Sequence, residues 1–195
     1  MTDFLYSIDL SLFYFFNHTI ANPVFDKFFV FITDVTHWYI AYIILWFIVF
    51  FKGGKIGKLA AIGAIFLIIV SDQLSSSLLK NLFDRIRPCK QLADVRLIVN
   101  CSGSFSMPSS HAFNNFAIAV YFSKLFPKFK WILITVATLV AISRPYIGVH
   151  YPSDIFVGAI IGGLVGYLFS ILVIYLNSKI QINSGAKKFN LTEKL

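Results

Sequence analysis

IFVGAIIGGLVGYLFSILVIYL, from Ile155 to Leu176, carries no charged side chain, and a helix needs roughly 20 mostly apolar residues to cross the hydrocarbon core of a bilayer. Two other stretches repeat the pattern: Ile56–Val70 holds Lys58 as its only charge, and Trp131–Ile142 holds none. The apolar residues come in unbroken runs, without amphipathic spacing. Of 195 residues, 57% are hydrophobic and the mean hydropathy is +0.76, far outside the globular norm. A soluble protein with buried helices is the competing reading, but so short a chain has too little polar sequence to coat such a core. The fold class that follows is all-α, a polytopic membrane helix bundle, with residues 1–195 forming a single domain.

Candidate spans run from about Trp38 to Phe51, Ile56 to Leu79, Ala112 to Phe126, Phe129 to Ile147 and Ile155 to Leu176. Ahead of them, Phe4–Ile32 is aromatic and apolar but broken by Asn17-His18, Asn22-Pro23 and Asp26-Lys27. That leaves two readings open, a further span or a helix lying in the interface. The expectation is therefore five to six transmembrane helices. The first residues carry Asp3 and Asp9 and no basic region, so they do not read as a signal peptide.

The net charge is +8, but the basic residues do not form the single patch that nucleic acid would require, and no nucleic-acid partner is expected. They sort instead into two sets of connections. Lys52, Lys55, Lys58, Lys124, Lys128, Lys130 and the tail lysines Lys179, Lys187, Lys188 and Lys194 fall on one side, which the positive-inside rule makes cytoplasmic. The long connection Lys80–Ser110 and the turn Gly148–Ser153 fall on the other, with all four arginines: Arg85, Arg87, Arg96 and Arg144. Arginine there runs against the rule and calls for a local reason, and its planar fork of donors suits phosphate.

Three polar stretches break the apolar pattern, and the topology brings them to that same face: Lys80 with Arg87-Pro88, then Pro108-Ser109-Ser110-His111, then Ser143-Arg144 with His150 and Asp154. An ionisable group near the bilayer core is expensive unless it is paired or functional. Lys80, Arg87 and Arg144 suit a phosphate dianion and the charge of a phosphoryl transition state. Ser109 and Ser110 stand at a helix start, where free N–H groups favour an anion. Two histidines let one attack phosphorus while the other protonates the leaving oxygen. A carboxylate four residues after His150 can hold its imidazole in the needed tautomer.

These stretches resemble the signature of the type-2 phosphatidic acid phosphatase superfamily, K-x6-RP, PSGH and SR-x5-H-x3-D. Lys80 to Pro88 and Ser143 to Asp154 match completely, and Pro108 to His111 departs once, with Ser110 where glycine is usual. A small serine there preserves the backbone amide and leaves room for an added hydroxyl contact. The resemblance implies His150 as a nucleophile forming a phosphohistidine, Asp154 orienting it and His111 as general acid. Lys80, Arg87, Ser109, Ser110 and Arg144 would then cradle the phosphate. No cofactor and no metal are implied, and the acidic residues are too few and scattered for a two-metal site. The expected enzyme is a metal-independent lipid phosphatase of a bacterial inner membrane, its site facing the periplasm or cell exterior and its partners the bilayer and a phosphorylated membrane lipid. Lipid A 1-phosphate or undecaprenyl diphosphate stands ahead of phosphatidylglycerophosphate and phosphatidic acid. The alternatives are a lipid-phosphate-binding or transport protein without catalysis, and a structural member that has lost activity. Both leave the set of His111, His150 and Asp154 without a purpose.

Weaker signals surround this set. Asp72, Ser76 and Lys80 recur at four-residue spacing and could line a polar pocket or hydrogen-bond between helices. Gly158, Gly162 and Gly166 read as a close-packing face. Cys89 and Cys101 share one connection and could close it as a disulfide. His18 and His37 read as interfacial or structural, and the tail from Ser178 as a mobile cytoplasmic end.

Overall fold

In the computed structural model the backbone is described for residues 2–192 and the side chains for residues 4–181. The described residues contain helices and no strand. In order these are α1 (Thr2–Tyr14), α2 (Pro23–Thr33), α3 (Tyr39–Lys52), α4 (Gly54–Gln73), α5 (Lys80–Phe83), α6 (Pro88–Gln91), α7 (Ser110–Leu125), α8 (Lys130–Tyr146) and α9 (Pro152–Thr192). Three stretches are long and apolar enough to cross a membrane: Val35–Lys52, Gly54–Gln91 and Pro152–Gln181. The other two expected spans correspond to α7 and α8, of 16 and 17 residues. The tail expected as a separate end continues α9 to Thr192, and the side chains of Lys187, Lys188 and Lys194 lie outside the described residues.

Packing follows from lipid being the solvent: small residues go inside and large ones outside. Where α9 crosses α7, a Cβ on Gly162 would lie 2.1 Å from Phe113 O and one on Gly166 2.1 Å from Ala117 O. Any side chain at either position would force the backbones apart. On the same helix Phe156, Leu164 and Leu168 are exposed, as lipid-facing residues should be. On α4 the buried face is Ala60, Ala61, Ala64 and Leu67, against Ala117 and Tyr121 of α7. Tyr121 donates its hydroxyl to Ala60 O at 2.9 Å, answering a polar group that apolar surroundings could not solvate.

The N-terminal segment packs on the bundle through one face. Asp9, Phe13 and Asn17 form the buried stripe of α1 and the π-turn that extends it, while Phe4, Leu5, Ile8 and Leu12 are exposed. The whole stripe meets one end of the bundle: Asp9 meets Ser153 and Arg85, Tyr14 meets Asp94, and Asn17 donates to Arg96 O and Tyr146 O. A helix whose two ends touch the same end of a bundle lies across that end. Asn22 caps α2, accepting from Val24 N and Phe25 N ahead of Pro23, so the polar breaks in the sequence are helix boundaries. Along α2, Asp26, Phe29 and Thr33 reach Tyr146 and Arg144 at the same end.

Candidate active site

Each motif occupies a helix end, where backbone groups are free. The ladder of α4 loosens into a π-turn over Leu74–Leu79 and resumes as α5, which stops at Asp84 in the left-handed conformation (φ 48°). Such π-turns recur at functional sites, and here the turn leads into Lys80, which is buried. The connection that follows is fastened by a Cys89–Cys101 disulfide. Arg87 holds its far side, donating to Ser104 O at 2.7 Å and Ser104 Oγ at 3.0 Å. Arg144 leaves the last turn of α8. The turn to α9 needs glycine at Gly148 (φ +87°), where a Cβ would also strike Val95 Cγ1 at 2.6 Å. That turn delivers His150.

Between these ends lies a cavity of about 240 Å³. Lys80, Arg87 and Arg144 line it with His111 and His150, and Ser76, Ser102, Ser104, Ser110 and Asn100 complete its polar wall. No carboxylate belongs to this lining. Three cations without a facing anion make a pocket for an anion. Arg144 donates to Thr33 Oγ1 at 2.7 Å, while its buried Nε has no partner among the described residues.

His150 is 2% exposed and bonded on both ring nitrogens. Arg87 NH1 sits 3.1 Å from Nε2. A guanidinium only donates, so Nε2 is the accepting nitrogen. The ring proton is then on Nδ1, which faces Asp154 Oδ2 at 3.4 Å. Burial pushes the His150 imidazole down to about 3, against the pull of Asp154. The ring is therefore neutral at neutral pH, its basic nitrogen on the cavity side. Asp154 is fully buried and well satisfied. Its Oδ2 also accepts from Ser106 Oγ at 2.5 Å and Tyr151 N at 2.8 Å, and its Oδ1 from Arg85 at 2.7 Å.

The eight residues singled out from the motifs converge, but not all in the same way. Lys80, Arg87, Ser110, His111, Arg144 and His150 line the cavity, with Asp154 directly behind His150. Ser109 does not line it; its hydroxyl accepts from Ala112 N as the cap of α7, and its own N–H donates to Asp154 O. Of the weaker signals, Ser76 lines the cavity while Asp72 reaches across to Asn114 on α7. His18 packs on Tyr14 and His37 on Phe31. Sequence reasoning passed over Ser104 and Ser106, gave Asp9 no part in the site, and grouped Arg85 with the arginines suited to phosphate, whereas it is bonded to Asp9 and Asp154. The available signals were an arginine two residues before Arg87, and an aspartate set in an apolar helix.

Comparison with known proteins agrees with this geometry. A lipid A 4′-phosphatase of Bacteroides thetaiotaomicron is 35% identical over 190 residues, 93% of this chain and 84% of that protein. One of Porphyromonas gingivalis is 31% identical over 82% of this chain and 71% of its own. The crystal structure of Aquifex aeolicus LpxE superposes with a TM-score of 0.70 at 31% identity, over 83% of this chain and 94% of that one. The model of the PAP2 superfamily matches residues 59–178, which contain the cavity's motifs, and the chain is a member of that superfamily.

Proposed function

We propose that this membrane lipid phosphatase of the PAP2 type removes a phosphate monoester from lipid A, residues 1–195 acting as one domain. The two relatives named lipid A 4′-phosphatase support this substrate and favour the 4′-phosphate over the 1-phosphate expected from sequence. The lysines gathered at the opposite end of the bundle support a site facing the periplasm or cell exterior of a bacterial inner membrane.

Burial, then Arg144, push the His111 imidazole down to about 3. In this reading the phosphate dianion between them reverses that field and His111 takes up a proton, which it gives to the lipid oxygen as His150 Nε2 attacks phosphorus. The products are a lipid hydroxyl and a phosphohistidine. Water then attacks phosphorus, its proton returns to His111, the P–N bond breaks and inorganic phosphate leaves. Asp154 holds the Nδ1 proton and stabilises the positive ring. Lys80, Arg87 and Arg144 hold the phosphoryl oxygens, with the free N–H groups that Ser109 orders at the start of α7, the main-chain N–H of Ser110 among them. The observation that carries the reading is a cavity with three cations, two imidazoles and no lining carboxylate.

The test is phosphate release from bis-phosphorylated lipid A in detergent, with chelator present and mass spectrometry of the product. One phosphate should leave the non-reducing sugar, and His150→Ala should lose at least about 100-fold in turnover. Loss from the other sugar would return the position to the 1-phosphate. No loss from either sugar would overturn the substrate.

A further inference from the structure

From Ser110 a chain of hydrogen bonds leads away from the two histidines. Ser110 Oγ lies 3.2 Å from Ser76 Oγ, Ser76 donates to Asp72 Oδ1 at 3.3 Å, and Asn114 Nδ2 donates to the same oxygen at 3.3 Å. The donors of this chain have a fixed direction. Ser76 spends its single proton on Asp72, so the proton between the two serines belongs to Ser110. What remains free is chiefly acceptor: lone pairs on Ser110 Oγ, Asn114 Oδ1 and Asp72 Oδ2, the last two without a hydrogen bond among the described residues, against one remaining N–H of Asn114. The chain therefore presents chiefly acceptors.

Its position is unusual for a membrane helix. Along its earlier turns α4 exposes Ile62, Ile65, Phe66, Ile68 and Ile69, as lipid demands. From Asp72 polar residues join the exposed surface, with Gln73, Ser76 and Ser77 beside it and Leu78 and Leu82 keeping a lipid-facing edge. Asp72 lies roughly 10 Å along the helix from Lys80, on the side toward the middle of the bundle. A carboxylate there without a cation is costly unless something polar covers it. The patch is continuous with the cavity, because Ser76 and Ser110 belong to both.

We propose that Asp72, Ser76, Ser110 and Asn114 form a second subsite, adjoining the phosphate cavity, that grips hydrogen-bond donors of the substrate lipid's own backbone. The class it fits is a phosphorylated, acylated amino sugar, whose amide N–H groups and hydroxyls are donors within that distance of the phosphate. A prenyl diphosphate has no donor beyond its phosphates, and a diacylglycerol phosphate offers only ester acceptors, which acceptors do not bind. The proposal rests on the lipid phosphatase reading above and gives a physical reason for glycolipid selectivity.

The experiment compares Asp72→Ala and Asp72→Asn with the unaltered protein on two substrates in the same detergent, lipid A and dioleoyl phosphatidic acid. Asn114→Leu, which leaves both serines in place, is a third variant should the first two be poorly folded. The measured quantity is the ratio of kcat/KM for lipid A to that for phosphatidic acid, which cancels losses common to both. We expect each variant to lower this ratio about tenfold, equivalent to about 1.4 kcal/mol, chiefly through KM for lipid A. Ratios within about twofold of the unaltered protein in all three variants overturn the subsite while leaving the lipid A reading intact. An unaltered protein that turns over phosphatidic acid but not lipid A overturns the substrate reading and the subsite together.

Discussion

Arg87 and Arg144 on one side, and Arg85 and Arg96 on the other, occupy the same end of the bundle but not the same chemistry. The first pair lines the cavity and has only neutral partners: Ser104, Val149 O and His150 for Arg87, and Thr33 Oγ1 for Arg144. Each of the second pair is bonded to carboxylate. Arg85 bridges Asp9 at 2.6 Å and Asp154 at 2.7 Å, lying 4.0 Å over the Tyr151 ring, and Arg96 pairs with Asp26. A guanidinium held by neutral acceptors keeps its whole charge for a ligand, whereas one bonded to carboxylate has spent it. The paired arginines fasten α1, α2 and the connection to the bundle, and the unpaired ones give the cavity its potential.

The sharpest way to break this division is to remove a cavity arginine. Arg144→Ala should lower kcat by about 10²–10³, the size of losing one preorganised donor to a charged transition state. Arg144→Lys should recover only part, because an ammonium cannot reproduce the planar fork. The thermal midpoint should change little, since Arg144 makes a single hydrogen bond to a side chain and leaves Nε free. A large fall in stability with turnover preserved would move Arg144 into the fastening class.

Arg85 should give a smaller loss of rate and a larger loss of stability. Its removal leaves Asp154 bonded to Ser106, Tyr151 N and His150 but without a balancing cation, and leaves Asp9 bonded to Ser153 alone. Arg85→Ala should lower kcat about 10- to 100-fold, as a slightly displaced His150 would, with KM nearly constant. Asp9→Asn, which touches no residue lining the cavity, should lower it less. In a double-mutant cycle the two losses should not add, since both act through one guanidinium. Strict additivity would mean that α1 has no hold on Asp154.

These classes differ in how well the sequence shows them. Lys80, Arg87, His111, Arg144, His150 and Asp154 lie within short stretches whose spacing is fixed by a helix end or a tight turn, so local sequence nearly determines their geometry. The close-packing glycines of α9 are legible for the same reason, because one helix carries all three. Arg85 is not, because its partners stand 76 and 69 residues away and the meeting depends on the course of the disulfide-closed connection. Asp9 looks like a stray charge until α1 is laid across the bundle. The motif that departs once also hides a division: Ser109 and Ser110 are neighbours of one type, yet one caps α7 and the other faces the cavity. Only the start of the helix separates their roles.

Arg96 sets the lower end of the scale. Its pairing with Asp26 is about 30% exposed on each side, and water screens such pairs to about 1 kcal/mol or less. It faces Tyr146 at 5.6 Å, and its main-chain N–H donates to Asn17, a contact that survives truncation of the side chain. Arg96→Ala should therefore lower the thermal midpoint by no more than about 2–4 °C and leave kcat within about twofold. Tyr146 would keep its contact with the freed Asp26, so α2 should stay docked. Added salt should lower the midpoint of the unaltered protein toward that of the variant, because screening weakens the ion pair only where it exists. A variant that loses turnover as severely as Arg144→Ala would show that an arginine paired with carboxylate can still serve the cavity, and the sorting of arginines by their partners would fail.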